Sequence, residues 1–216
     1  MVLKSRDLHF AFDEVTKDFP LLYDIGVTTL PPIPFDDVTK SIIVWNVFST
    51  VAYDYTFRDV FIPKIINLLN LKFNCEGYEF GYDDYILNRK QLAVRSGTGK
   101  ISKPSLAFHK KFGLNYKIDL ILTNAEFEDS VVVEDMLKYE NCIGCDAPCE
   151  KQCPVGCKFN FEHSDWEKCE NFISKPEWFE NPEKMCRICQ DACPYSEELK
   201  ENILKINPKY GSRLKL

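Results

Sequence analysis

The chain has 216 residues, 45% hydrophobic and 13% aromatic, enough to bury one core of ordinary size beside a small appended module. Its 27 basic and 33 acidic side chains leave a formal charge of -6, so the surface as a whole offers no field for a nucleic-acid backbone. Charges recur every few residues in the N-terminal MVLKSRDLHFAFDE and no long apolar stretch follows, so neither a signal peptide nor a membrane span is expected, and a cytoplasmic location is.

Taken in chain order, SRDLHFAFDEVTKDFP (5–20) carries apolar residues at helical spacing and stops at Pro20. LPPIPF (30–35) fits neither regular helix nor central strand and reads as an extended linker. The β-branched and aromatic run SIIVWNVFS (41–49) predicts a buried strand, with Trp45 and Phe48 in the core. FRDVFIPKIINLLNLKF (57–73) predicts a helix. A further helix fits YILNRKQLAVR (85–95), ended by the glycines of SGTGK, and a second strand fits NYKIDLILTN (115–124). Tyr78, Phe80, Tyr82 and Tyr85 read as core, although a flat cofactor would also want such a wall. These elements make an α/β layer within residues 1–135. From about residue 141 the apolar periodicity fades and Cys-Pro pairs appear, so residues 136–216 read as loops organised by metal.

Nine of the ten cysteines lie between Cys142 and Cys193, and only Cys75 stands apart, as a free thiol without an assigned role. A secreted disulfide framework would need an export signal, so the thiols point to a cofactor site. The first run is Cys142-x2-Cys145-x3-Cys149-x3-Cys153-Pro154 and the second is Cys186-x2-Cys189-x3-Cys193-Pro194. Ferredoxin-type modules hold each 4Fe-4S cube with three thiolates from one run and a fourth from the Cys-Pro of the other. On that pattern Cys142, Cys145, Cys149 and Cys193 hold one cube, and Cys153, Cys186 and Cys189 supply three ligands to the other. The two runs give seven thiolates where two cubes need eight, which leaves Cys157 and Cys169 as candidates. Cys157 follows Cys153 by only four residues, so Cys169 has more freedom to reach the far side and is favoured. Structural zinc would also use paired cysteines, but it needs neither the third cysteine of each run nor the Cys-Pro endings. A thioredoxin-like pair is disfavoured because CIGC and CRIC each belong to a longer run.

SGTGKIS is not a Walker loop, since Val94 stands where that motif needs glycine. A glycine pair after a helix is more often a cap and turn than a cofactor loop. Lys100, Lys103 and His109 to Lys111 form the most basic stretch, readable as a solvated face or as a contact for a phosphate-bearing tail or an acidic partner. His9, His109 and His163 are scattered, which gives hydrolytic catalysis no support, and His163 near the clusters reads as a surface side chain.

The stretch from about residue 80 to 196 resembles the epoxyqueuosine reductase family, cobalamin-dependent iron-sulfur enzymes related to reductive dehalogenases. The resemblance rests on CIGCDAPCEKQCPVGC (142–157), DWEKCENFI (165–173), MCRICQDACPYS (185–196), QLAVRSGTGKISKPSL (91–106) and KIDLILTNAEFE (117–128). It implies an α+β chain: a nitroreductase-like α/β corrinoid-type domain followed by a ferredoxin-like module with two 4Fe-4S clusters. It implies Cys169 as the eighth ligand, Gly97, Gly99, Lys100, Lys103 and Ser105 at the corrinoid, and Asp83 as the catalytic proton donor. The implied function is an oxidoreductase that passes electrons from a ferredoxin- or flavodoxin-type donor through the clusters to cobalamin or a similar cofactor. The sequence departs from the family at Ile86, Asn88, Lys100 and Ser102, and tRNA is not expected as a partner. A ferredoxin-like carrier without its own catalytic cofactor is the alternative.

Overall fold

The computed structural model describes residues 2–19, 21–29, 39–51, 56–73, 88–161, 165–176 and 185–211. The expected linker at 30–35, Cys75, Asp83, His163 and the aromatic set Tyr78, Phe80, Tyr82 and Tyr85 lie outside these residues. In chain order the strands and helices begin with β1 (Val2–Leu3), a 3-10 turn at Ser5–Leu8, α1 (His9–Thr16), β2 (Tyr23–Thr29) and β3 (Ser41–Phe48). Next come α2 (Thr56–Phe73), α3 (Arg89–Arg95), β4 (Gly99–Ile101), β5 (Ala107–His109), β6 (Tyr116–Thr123) and β7 (Glu126–Phe127). The remainder holds α4 (Pro148–Lys151), α5 (Trp166–Ile173), α6 (Ile188–Asp191) and α7 (Pro194–Ile206). No helix among the described residues is long and apolar enough to cross a membrane.

The fold is built on β3, whose eight residues are all buried. It runs antiparallel between β2 and β6, with Trp45 opposite Ile25 on one side and Asp119 on the other. Alternation along the strand sorts its side chains between two layers. Ile43, Trp45 and Val47 pack with Phe12 of α1 and with Phe61, Ile65 and Leu69 of α2. Ile42 and Val44 pack with Leu92 and Ala93 of α3 and with Leu120 and Leu122 of β6. Each such side chain contributes roughly 1.5–3 kcal/mol when fully buried, so β3 anchors both layers.

The glycine segment is a helix stop. The Gly97 N–H donates to the Val94 carbonyl at 2.9 Å and the Thr98 N–H to the Ala93 carbonyl at 3.0 Å, the paired bonds of a Schellman turn. Gly97 has φ +72°, which favours glycine there. The turn is clamped from the sheet side by Gly26 of β2, where a Cβ would stand 2.5 Å from Thr98 Cγ2. β2 escaped the sequence reading because Asp24 and Gly26 break its apolar alternation. Within residues 136–216, read from the sequence as loops, Pro194–Ile206 forms the helix α7. Pro194 occupies its first turn, where the missing N–H costs no hydrogen bond, and Ile203 packs with Phe48 and Phe112.

Asp119 is a buried carboxylate at the β6 edge, 3.9 Å from Arg58 Nε of α2 and 3.8 Å from an Arg89 amino nitrogen of α3. It therefore couples helices from opposite faces of the sheet. Burial pushes its carboxyl up to about 6, with Arg89 and Arg58 acting in the other direction. A raised folded value means that the native state binds this proton more tightly than the unfolded chain does. The contribution is fully present below the ordinary value of 3.8 and is lost as pH rises through about 6. Urea unfolding of wild type and Asp119→Asn across that window should show wild type losing stability relative to the variant as pH rises.

Candidate functional site

Two cavities lie on either side of one short segment of chain. The first is lined by Cys142, Cys145, Cys149, Cys189 and Cys193, closed by Leu114, Tyr195 and the segment Ser102–Pro104. Local structure brings the thiols there. Cys142 ends a 3-10 turn, Gly144 at φ +78° and Ala147 at φ +53° bend the loop, and Pro148 starts the helix that carries Cys149. From the second run, Cys189 lies in α6 and Cys193 caps α7.

Burial raises the Cys142 and Cys193 thiols, pushes Cys149 up to about 11 and pushes Cys189 up to about 12. Mutual electrostatic influence sorts the thiols into two neighbourhoods. Cys149 and Cys193 both feel Cys142 and Cys145, while Cys169 feels Cys186 and Cys153. Cys189 feels Cys186, Cys169, Cys149 and Cys153, so it joins the two groups. Backbone amides are aimed at the sulfurs: Lys103 at Cys142, and Tyr195 and Ser196 at Cys193.

Cys157 is fully buried and differs from the others in its bonding. Its N–H donates to Cys153 Sγ at 3.3 Å, and its own thiol donates to the Asp165 carbonyl at 3.4 Å. Burial pushes this thiol up to about 12, with the hydrogen bond to Cys153 acting in the same direction. Burial acts against the Cys153 thiolate too, but the amides of Cys157, Val155 and Gly156 outweigh it and hold that thiol below its ordinary value.

Among the described residues no three His, Cys, Asp or Glu side chains are spaced to hold a single metal ion. A cube spreads its thiolates over four corners, whereas one zinc draws them to about 2.3 Å from a common centre. A donor set of thiols alone, in two neighbourhoods with amides directed at sulfur, fits 4Fe-4S clusters.

The second cavity, about 270 Å³, is lined by Asn88, Lys90, Gln91, Ile101, Ser105, Met136, Lys138 and Phe161. Ser102–Pro104 face the cysteines while Ile101 and Ser105 face this pocket, so the strand-to-loop segment is the wall between them. Ser105 turns the wall at φ +57°, with its N–H on the Ser102 carbonyl at 2.9 Å. Sites for drug-sized ligands run from roughly 300 to 1,000 Å³. A corrinoid is larger still, and the described pocket does not enclose one.

The expected cofactor residues are divided among these places. Gly97 belongs to the turn, and a Cβ on Gly99 would meet Ala107, the Tyr116 hydroxyl and Ala93 at 3.5–3.6 Å. Lys100 pairs with Glu140 at 2.7 Å, Lys103 faces the cysteine cavity and Ser105 the pocket. The basic stretch is not a uniformly solvated face. His109 is buried, its Nε2 lies 3.1 Å from Asp24, and Lys111 pairs with the same carboxylate at 2.6 Å. Burial opposes the Asp24 charge, but the bonds from His109 and Lys111 prevail and bring its carboxyl down to about 2.

The sequence reading missed a polar knot that fixes the cysteine segment to the sheet. Asn115, at the start of β6, donates to Ser196 Oγ at 2.9 Å and accepts from Arg187, which sits between Cys186 and the rest of its run. Ser196 Oγ also accepts the Leu114 N–H at 2.8 Å, and all three knot residues are buried. Asn115→Ala should cost about 1–3 kcal/mol in chemical unfolding, because it removes one hydrogen-bond partner from a buried guanidinium and one from a buried hydroxyl.

The sequence matches no protein-family model and no curated protein. Solved structures do match. An epoxyqueuosine reductase from Bacillus subtilis superposes with a TM-score of 0.61 at 20% identity over 88% of this chain, and one from Streptococcus thermophilus with 0.60 at 18% over the same share. A catabolic reductive dehalogenase superposes with a TM-score of 0.60 at 13% identity over 86% of this chain. The chain spans 66% of each reductase and 32% of the dehalogenase. The mixed helix and sheet architecture described above is the fold found in epoxyqueuosine reductases and reductive dehalogenases.

Proposed function

We propose that this chain is an iron-sulfur oxidoreductase that carries electrons through two 4Fe-4S clusters to an acceptor on the α3 side of the sheet. The observation that carries the reading is the convergence of Cys142, Cys145, Cys149, Cys189 and Cys193 from both runs on one cavity. Cys142, Cys145, Cys149 and Cys193 would hold one cluster, and Cys153, Cys169, Cys186 and Cys189 the other. Cys157, whose N–H and thiol are engaged by Cys153 and Asp165, is left out of both sets. The clusters, when bound, supply one-electron transfer at potentials between roughly -700 and +450 mV.

The chain's own residues set the conditions for that chemistry. The amides of Lys103, Tyr195 and Ser196 draw charge from sulfur, and the buried Arg187 adds a cation beside the second run. Both effects favour the reduced state. Ser102–Ser105 forms the thin wall across which an acceptor in the Lys90 pocket would be reached. Ile143, Ile188 and Tyr195, exposed by 70%, 37% and 37%, flank the cysteines and would receive a donor protein of ferredoxin or flavodoxin type. Cobalamin is the acceptor that the resemblance implies, with Asp83 as proton donor. The described pocket, about 270 Å³, does not enclose a corrinoid.

Anaerobic reconstitution of Cys157→Ser and Cys169→Ser tests the assignment. Wild type and Cys157→Ser should hold about eight irons per chain, and Cys169→Ser about four. Loss of iron from Cys157→Ser with none from Cys169→Ser would reverse the ligand assignment, and stoichiometric zinc in place of iron would end the redox reading.

A further inference from the structure

Lys90 of α3 is a part-buried lysine with no ion-pair partner among the described residues. Lys100 pairs with Glu140 and Lys111 with Asp24, whereas no carboxylate of the described residues pairs with Lys90. Its ammonium lies 5.5 Å from the centroid of the Trp166 ring, and burial lowers its pKa. A half-buried cation of this kind gains more from an anion than an exposed one does, because less water competes for it.

The walls around it are mixed. Ile101, Met136 and Phe161 present an apolar surface, and Asn88, Gln91 and Ser105 polar groups. Asn88 Oδ1 already accepts the N–H groups of Lys90 and Gln91 at 3.1 and 3.2 Å, which leaves its side-chain amide N–H groups as donors. Lys138, on the far side, lies 5.3 Å from the Phe161 ring centroid. Cation, amide donors and apolar wall converge on about 270 Å³.

We infer that this pocket binds a compact organic carboxylate, with the carboxylate on Lys90 and the Asn88 amide and the apolar body against Phe161, Ile101 and Met136. As an acceptor site it rests on the electron-transfer reading above; as a binding site it stands on the pocket alone. Bare phosphate would leave the apolar wall in water, and a neutral body would leave Lys90 without a counter-charge.

The test is calorimetric titration of the anaerobically purified holoprotein with phenylacetate, its neutral isostere phenylacetamide, and inorganic phosphate. Phenylacetate should bind about tenfold more tightly than the amide, as expected for a hydrogen bond to a charged group, and phosphate should not displace it. Lys90→Gln should abolish the preference for the acid while leaving iron content unchanged, and Lys90→Arg should keep it. Equal binding of acid and amide, no binding of either, displacement by phosphate or an unchanged preference in Lys90→Gln would overturn the inference. Iron analysis of the same preparation separates the two claims, since a carboxylate preference in a protein without clusters would refute the redox reading alone.

Discussion

Thiolates crowded around one cavity repel one another, and water cannot relieve that repulsion where they are buried. This constraint governs the C-terminal part of the chain. Burial pushes Cys149 and Cys189 up to about 11 and 12, so without a positive centre between them they remain thiols. The iron-sulfur cluster proposed for these thiols would supply that centre and displace the protons. The folded chain prepares for it by aiming amides at sulfur and by placing Lys103 in the lining.

The sheet makes this arrangement possible at a distance. β3 fixes β2 and β6 on either side, and Gly26 of β2 lets the turn after α3 pack close against the sheet. The chain then passes through β4 into Ser102–Pro104, which faces the cysteines, and turns at Ser105 toward the Lys90 pocket. On the other side Asn115 at the head of β6 ties down Ser196 and Arg187, and α7 closes over Phe48 and Phe112. One antiparallel ladder thus positions both walls of the cysteine cavity, although no cysteine belongs to it.

The parts legible in the sequence were those with one dominant signal. The β-branched run of β3, the apolar spacing of α2 and the strand at β6 carry their periodicity openly. β2 does not, because Asp24 is drawn to His109 and Lys111 and Gly26 is required by a neighbouring turn, and both needs are tertiary. α7 was hidden because charged residues dominate ELKEN (198–202), and its packing on Phe48 and Phe112 is made by Ile203 with Leu204 alongside. The cysteine spacings named the runs, but not why Cys157 is set apart. Its amide and thiol are engaged by Cys153 and Asp165, a fact of three-dimensional neighbourhood. The Lys90 pocket had no signature, since its lining comes from α3, the Ser105 turn, the 136–138 strand-like segment and Phe161.

The cysteine region is proposed to be an electron relay and not a structural staple. A potentiometric titration of the anaerobic protein, followed by electron paramagnetic resonance, measures this directly. An electron relay should show two centres, each taking up one electron reversibly within roughly -700 to +450 mV. A protein that holds metal but shows no reversible reduction across that range would contradict it.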